Sequence, residues 1–167
     1  LSGAHLFKAD FSKASLVNAR LNDVELTGAD LSGANLEDAH AERAGLGMAI
    51  MKNTRMFNTV LTDATLTKAD LTEADLRHAK LNRVRLREAV LIMADCTGAD
   101  FQGADMSLSN FAGATMNNAN MRDARLRQIK GYEEAKWYGV DIRDINFAGA
   151  YRLRRFIVDE NYLKEFR

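Results

Sequence analysis

The chain has 167 residues, 47% of them hydrophobic, and its 23 basic side chains balance 23 acidic ones for a formal net charge of zero. That length suits one domain, and the balance removes the electrostatic reason to expect nucleic acid or an anionic membrane surface as the main partner. One cysteine, Cys96, excludes a disulfide within the chain; there is no run of 18 apolar residues and no signal-peptide pattern.

From Leu1 to Leu126 a large apolar residue returns every five positions: Leu1, Leu6, Phe11, Leu16, Leu21 and onward, with Ala41 and Cys96 the small members of the series. Two residues before each stands a small one, mostly Ala, with Val24, Thr54, Thr59, Val84 and Ser109 as departures. Calling the large position i, Asp and Asn recur at i−1 (Asp10, Asp30, Asn35, Asp70) and Ser or Thr at i+1 (Ser12, Ser32, Thr67, Thr72). Position i+2 collects Gly28, Gly33, Gly98, Gly103 and Gly113 beside Asn18, Asp38, Asn58, Asp63 and Asn118.

A period of five fits neither regular element. On an α-helix each step of five rotates the side chain by about 140°, so the series would spiral around the axis without forming a face. In an extended chain i−2 and i share one face while i−1 and i+1 share the other. Three residues separate i from the next i−2, so a straight strand would flip the pattern at every unit. The chain must therefore turn a corner every five residues, with Gly, Asn and Asp at i+2 supplying the turn. Four corners close a coil of twenty residues that stacks on the next at ~4.8 Å, giving about seven coils and a rod of ~35 Å through Phe147. The absence of Pro agrees, because a Pro would remove a donor from the ladder.

Between Leu126 and Trp137 the spacing is eleven rather than ten, which places one inserted residue near Gly131-Tyr132-Glu133-Glu134 and predicts a bulge or short loop. The phase resumes with Ala135/Trp137, Val140/Ile142 and Ile145/Phe147, and the larger residues there predict a wider, better sealed last coil. The repeat unit is thus assigned to residues 1–150. Residues 151–167 read as a C-terminal cap: Asp159 is the N-cap of a short helix that folds Tyr162, Leu163 and Phe166 over the end of the rod. Leu1 opens in mid-repeat, and an uncovered end coil would leave a ladder edge open, so the sequence is expected to be part of a longer chain.

The tandem Ala-Asp/Asn-Leu-x-x pattern, as in Ala29-Asp30-Leu31-Ser32-Gly33 and Ala69-Asp70-Leu71-Thr72-Glu73, resembles the pentapeptide repeat family across about four fifths of the chain. The resemblance implies an all-β fold, a right-handed quadrilateral parallel β-helix. Known members of that family include DNA mimics that bind type II topoisomerases and relieve fluoroquinolone action, secreted bacterial effectors and many bacterial proteins of unassigned function. The segment from Arg143 to Tyr151 is similar to the post-repeat linker of members that carry membrane segments. Fold alone does not transfer any of these functions.

Residues twenty apart should lie above one another. Asp23, Arg43, Asp63, Arg83, Gly103 and Asp123 then form a corner column whose alternating charges are expected to be a ladder of ion pairs, structural in role. Arg85, Arg87, Arg125 and Arg127 share a face interrupted by Asp105, a candidate contact for phosphate or an acidic protein. Ile50, Val90 and Ile92 replace polar residues on one outward face, with Met93 at its corner and Met48 at the neighbouring one. These five form the candidate partner surface, for a protein partner or a second copy in a homodimer. His5, His40 and His78 fall on different faces or corners, and no catalytic, metal or cofactor constellation is found. Cys96, at an interior position, reads as a buried small hydrophobe.

The sequence therefore predicts a non-enzymatic structural and protein-interaction scaffold, cytoplasmic, or membrane-attached if the full chain is longer. The alternatives are a DNA-mimicking, topoisomerase-binding protein of the fluoroquinolone-resistance type and the soluble repeat region of a bacterial membrane or channel-like protein. Near balance of acidic and basic side chains argues against the first, since a mimic of the duplex needs a dominant negative surface.

Overall fold

A computed structural model of the chain describes residues 1–145. Within them the backbone winds into coils of twenty residues. Each i−1 residue forms a parallel bridge to the residue twenty further on, from His5↔Glu25 and Asp10↔Asp30 to Asn110↔Lys130. Each coil has four five-residue sides. Side 1 carries the i−1 column His5, Glu25, Gly45, Thr65, Arg85, Asp105 and Arg125, and side 2 carries Asp10, Asp30, Ile50, Asp70, Val90, Asn110 and Lys130. Sides 3 and 4 begin at Ser15 and Arg20.

Backbone bonding explains why the unit is five residues long. Leu6 N–H donates to the Glu25 carbonyl (2.7 Å), Lys8 N–H to Thr27 (3.1 Å) and Glu25 N–H back to Ala4 (2.9 Å), so three N–H groups per unit bind neighbouring coils. A fourth closes the corner, Ala9 N–H to the Leu6 carbonyl at 3.2 Å. Every i+2 residue from Gly3 to Gln128 has φ between 53 and 70°, while no i+1 residue does. One left-handed residue at the second central position is the type II signature, which explains the Gly, Asn and Asp in that slot. The fifth N–H, at i+1, has no ladder partner. Asp or Asn at i−1 supplies one: Asp30 Oδ1 accepts from Ser32 N–H (2.8 Å), and Asp70, Asp75, Asp95, Asp105, Asn110 and Asn120 accept from the residue two ahead. Such Asx turns satisfy a group that the sheet itself leaves bare.

Every i and i−2 residue from Leu21 to Leu126 is buried. The polar ones at i−2 keep their hydroxyls bonded, Thr59 Oγ1 to the Leu36 carbonyl and Ser109 Oγ to that of Leu86, both at 2.7 Å. In the first coil Leu6, Phe11 and Leu16 are only partly buried. The insertion lies where expected: bridges span twenty residues up to Asn110↔Lys130 and twenty-one at Thr115↔Lys136 and Asn120↔Asp141. Gly131 stands where the next large residue is due, and a turn over residues 132–134 takes up the extra residue. Trp137 then re-enters the core, 1% exposed, its ring 5.9 Å from Phe111 and its Nε1 donating to the Tyr132 carbonyl at 2.8 Å. The expected helical cap with Tyr162, Leu163 and Phe166 lies outside the described residues, as do Phe147 and Ala150.

Candidate interaction surface

Several polar columns outside the rod hold bidentate ion pairs. Arg43 forms a bidentate pair with Asp23 (2.7 and 2.6 Å) and Arg83 another with Asp63 (2.8 and 2.6 Å). The expected continuous ladder is thus two separate pairs, because each planar guanidinium commits both donors to one carboxylate. The neighbouring guanidinium holds the Asp23 and Asp63 carboxyls below their ordinary range. Arg77 clamps Asp75 and Arg143 clamps Asp141 in the same way.

Large apolar residues are exposed at several places, Phe7, Val17 and Tyr138 among them, and side 2 with its corners carries three. Met48 is 59% exposed, Ile50 42% and Met93 62%. Val90 and Ile92, expected to face outward, are only partly exposed. Met93 lies flat along the rod because the next residue in its column is Gly113, whose missing side chain leaves room: a Cβ there would sit 2.5 Å from the Met93 sulfur. The five residues do not merge into one patch. Between Ile50 and Val90 stands Asp70, paired with Lys52 Nζ at 3.2 Å and capping Thr72. Met48 and Ile50 thus form one apolar spot, and Val90, Ile92 and Met93 another.

A cluster that the sequence reading did not single out occupies the corner after side 3. Phe57, 38% exposed, lies beneath the Arg77 guanidinium (5.7 Å to the ring centroid) and edge-on to His78 (5.6 Å). The only signal in the sequence is an aromatic at i+1, a slot otherwise mostly polar.

His5 stacks on Phe7, His40 contacts Glu42 at 3.4 Å and His78 meets Phe57, three separate places on the rod. Among the described residues no three His, Cys, Asp or Glu side chains are placed to hold a metal ion. Cys96 is fully buried, and that burial, reinforced by the charges of Asp95 and Asp75, pushes its thiol far above the usual range, so it is not a nucleophile in the folded chain. Among the described residues no helix is long and apolar enough to cross a membrane.

Comparison with known proteins places the rod. The family model for pentapeptide repeats matches in eight copies over residues 1–38, 54–91, 69–107 and 91–128. The structure is similar to that of HetL, a pentapeptide repeat protein involved in heterocyst differentiation regulation in the cyanobacterium Nostoc sp. strain PCC 7120, with a TM-score of 0.84 and 34% identity. The match covers 86% of this chain and 66% of HetL, so the chain spans just under two thirds of that protein. A trypsin-treated form of QnrB1, a plasmid-mediated fluoroquinolone resistance protein, matches with a TM-score of 0.51 and 22% identity over 90% of this chain and 85% of QnrB1, a likeness of fold alone. No protein of curated function matches the sequence.

Proposed function

Because the chain belongs to the pentapeptide repeat family, we propose that it is a non-enzymatic scaffold, a right-handed quadrilateral rod that presents its sides to a protein partner. The observation that carries this reading is the exposure of Met48, Ile50 and Met93 on and beside side 2, which also carries the partly exposed Val90 and Ile92. Exposed apolar residues gathered on one side of a rigid surface favour contact with another protein or a second copy. HetL, described as involved in regulation of a differentiation process, is the kind of relative such a reading anticipates. A reducing, cytoplasmic setting is consistent with a single buried thiol.

Placing Ile50→Asp and Met93→Asp together should abolish concentration-dependent self-association in sedimentation, or capture of partner in pull-down, while far-UV circular dichroism stays unchanged. Identical sedimentation and pull-down results for variant and parent would remove both apolar spots from the proposal. The rival reading, mimicry of DNA toward a topoisomerase, requires that the rod alter gyrase supercoiling with or without a fluoroquinolone. With 23 charges of each sign, no alteration is expected.

A further inference from the structure

Side 1 carries a second surface of the opposite chemistry. Arg85, Arg87, Arg125 and Arg127 are all exposed on the same side. Arg85 and Arg125 occupy one column, separated by Asp105. Arg43, Arg77, Arg83 and Arg143 each hold an aspartate in two-point contact. The four arginines of side 1, like Arg20, Arg55 and Arg122, do not. Arg85 reaches only the Thr65 hydroxyl at 3.2 Å, and Arg87 makes a single 3.4 Å contact with its neighbour Glu88. Arg125 and Arg127 make no side-chain hydrogen bond or ion pair with any described residue. Asp105, between Arg85 and Arg125, spends Oδ1 on the Ser107 N–H at 3.1 Å, and it and Glu88 beside Arg87 are two negative charges against four positive.

The spacing defines what fits. Arg85 and Arg87 are two residues apart across one side, as are Arg125 and Arg127, so each pair is ~6.6–7 Å apart; two coils separate the pairs by ~10 Å. An extended peptide repeats its same-face side chains at that same ~6.6–7 Å. Lying across the side, it brings two alternate carboxylates onto Arg85 and Arg87 or onto Arg125 and Arg127, each able to engage in two-point contact. The Arg85 and Arg125 N–H groups and the carbonyls of all four arginines are engaged in the inter-coil ladder. The Arg87 and Arg127 N–H groups, with no Asp or Asn two residues before them, take no part in it, so recognition runs chiefly through side chains. Ser107, between Arg87 and Arg127, is small and buried and leaves the surface flat. No aromatic residue stands among the four arginines, whereas a single-stranded nucleic acid is held by base stacking on aromatics. The zero net charge of the chain also gives no long-range pull toward a duplex.

We propose that the arginine quartet of side 1 is a docking face for an extended acidic segment of a protein partner. The proposal deepens the scaffold reading and rests on it for the class of partner, but uses a different side from the apolar residues.

The test is fluorescence anisotropy of a labelled ten-residue peptide of alternating Glu and Ser, at low and at physiological salt, with the whole chain. The parent should bind, more weakly as salt rises. Arg85→Gln, Arg87→Gln, Arg125→Gln and Arg127→Gln combined should weaken binding at least about tenfold. Arg43→Gln with Arg83→Gln, and Arg77→Gln with Arg143→Gln, together remove the same charge from paired sites and should leave it within about twofold. Circular dichroism confirms that each variant is folded. The proposal is overturned by absence of binding at low salt, by equal loss in the control, or by tighter binding of a single-stranded oligonucleotide of matched charge. Peptide binding unchanged in the Ile50→Asp, Met93→Asp variant separates the two surfaces. If that variant loses self-association while the peptide never binds, the acidic-segment proposal fails alone.

Discussion

An aspartate at i−1 looks from the sequence like an ordinary outward polar residue, yet it is the part that completes each unit's hydrogen bonding. Asp70 shows this most fully: Oδ1 accepts from the Thr72 N–H (3.1 Å) and hydroxyl (2.6 Å), and Oδ2 pairs with Lys52. Partial burial pushes its carboxyl up, but the bonds from Thr72 and Lys52 outweigh that and leave it below its ordinary value of 3.8. Asp75, bonded first by Arg77, is lowered as well. Folding therefore favours the ionised forms. Their contribution is complete above the unfolded value near 4 and is lost as pH falls through the lower folded-state pKa. Urea midpoints should be flat from pH 7 to about 5 and drop below about 4. Asp70→Ala should cost about 1 kcal/mol at pH 7 by leaving the Thr72 N–H unpaired. Asp70→Asn should retain most of that, losing chiefly an exposed ion pair, and should flatten part of the acid dependence. An Asp70→Ala variant as stable as the parent would show that water replaces the cap. The alternation of inside and outside from Leu21 to Leu126 was legible in the residues, because burial follows from a period, with Ser107, buried at an outward position, an exception. The capping role was not, because it depends on which single N–H the ladder omits.

The element that repeats is a side and its corner, and it tolerates almost any residue at i+2 as long as the left-handed φ is accepted. Lys, Glu, Met and His all do so here. Gly131 is different. It has φ +66°, and a Cβ added there would lie 2.6 Å from the Ala112 Cα and closer still to the Ala112 amide nitrogen, backbone atoms that cannot swing away. Gly131→Ala should therefore destabilise by about 1–3 kcal/mol or more, the range for a forced backbone conformation. Gly113→Ala should cost less, because the atom it meets is the mobile Met93 sulfur. Equal chemical denaturation midpoints for the two would contradict the stated contacts. The same logic explains what the sequence could say about the candidate surfaces. Column membership follows from arithmetic, so Met48, Ile50 and Met93 are found outside as expected. How much a neighbour twenty residues away covers Val90 or Ile92 depends on side-chain directions that a period does not specify. Which arginines find carboxylates depends on them too.

For the whole rod, stability accumulates from stacked coils, each contacting only its neighbours. Register between coils is set by the twenty-residue repeat and absorbs the one extra residue near Gly131 only because a turn opens there. Removing residues 61–80 deletes one full coil and brings Leu81 to the place of Leu61, with every later column keeping its side. Removing residues 61–78 is the smaller change in length, yet it moves Leu81, Leu86 and Leu91 out of the interior phase. The first variant should fold, with a rod shorter by ~4.8 Å and a smaller unfolding enthalpy. The second should lose cooperative melting downstream of the cut, because large apolar side chains that are 0% exposed in the parent are turned toward water. Differential scanning calorimetry and small-angle scattering read both quantities. A folded 61–78 deletion, or an unfolded 61–80 deletion, would mean that register is carried by something other than the five-residue phase.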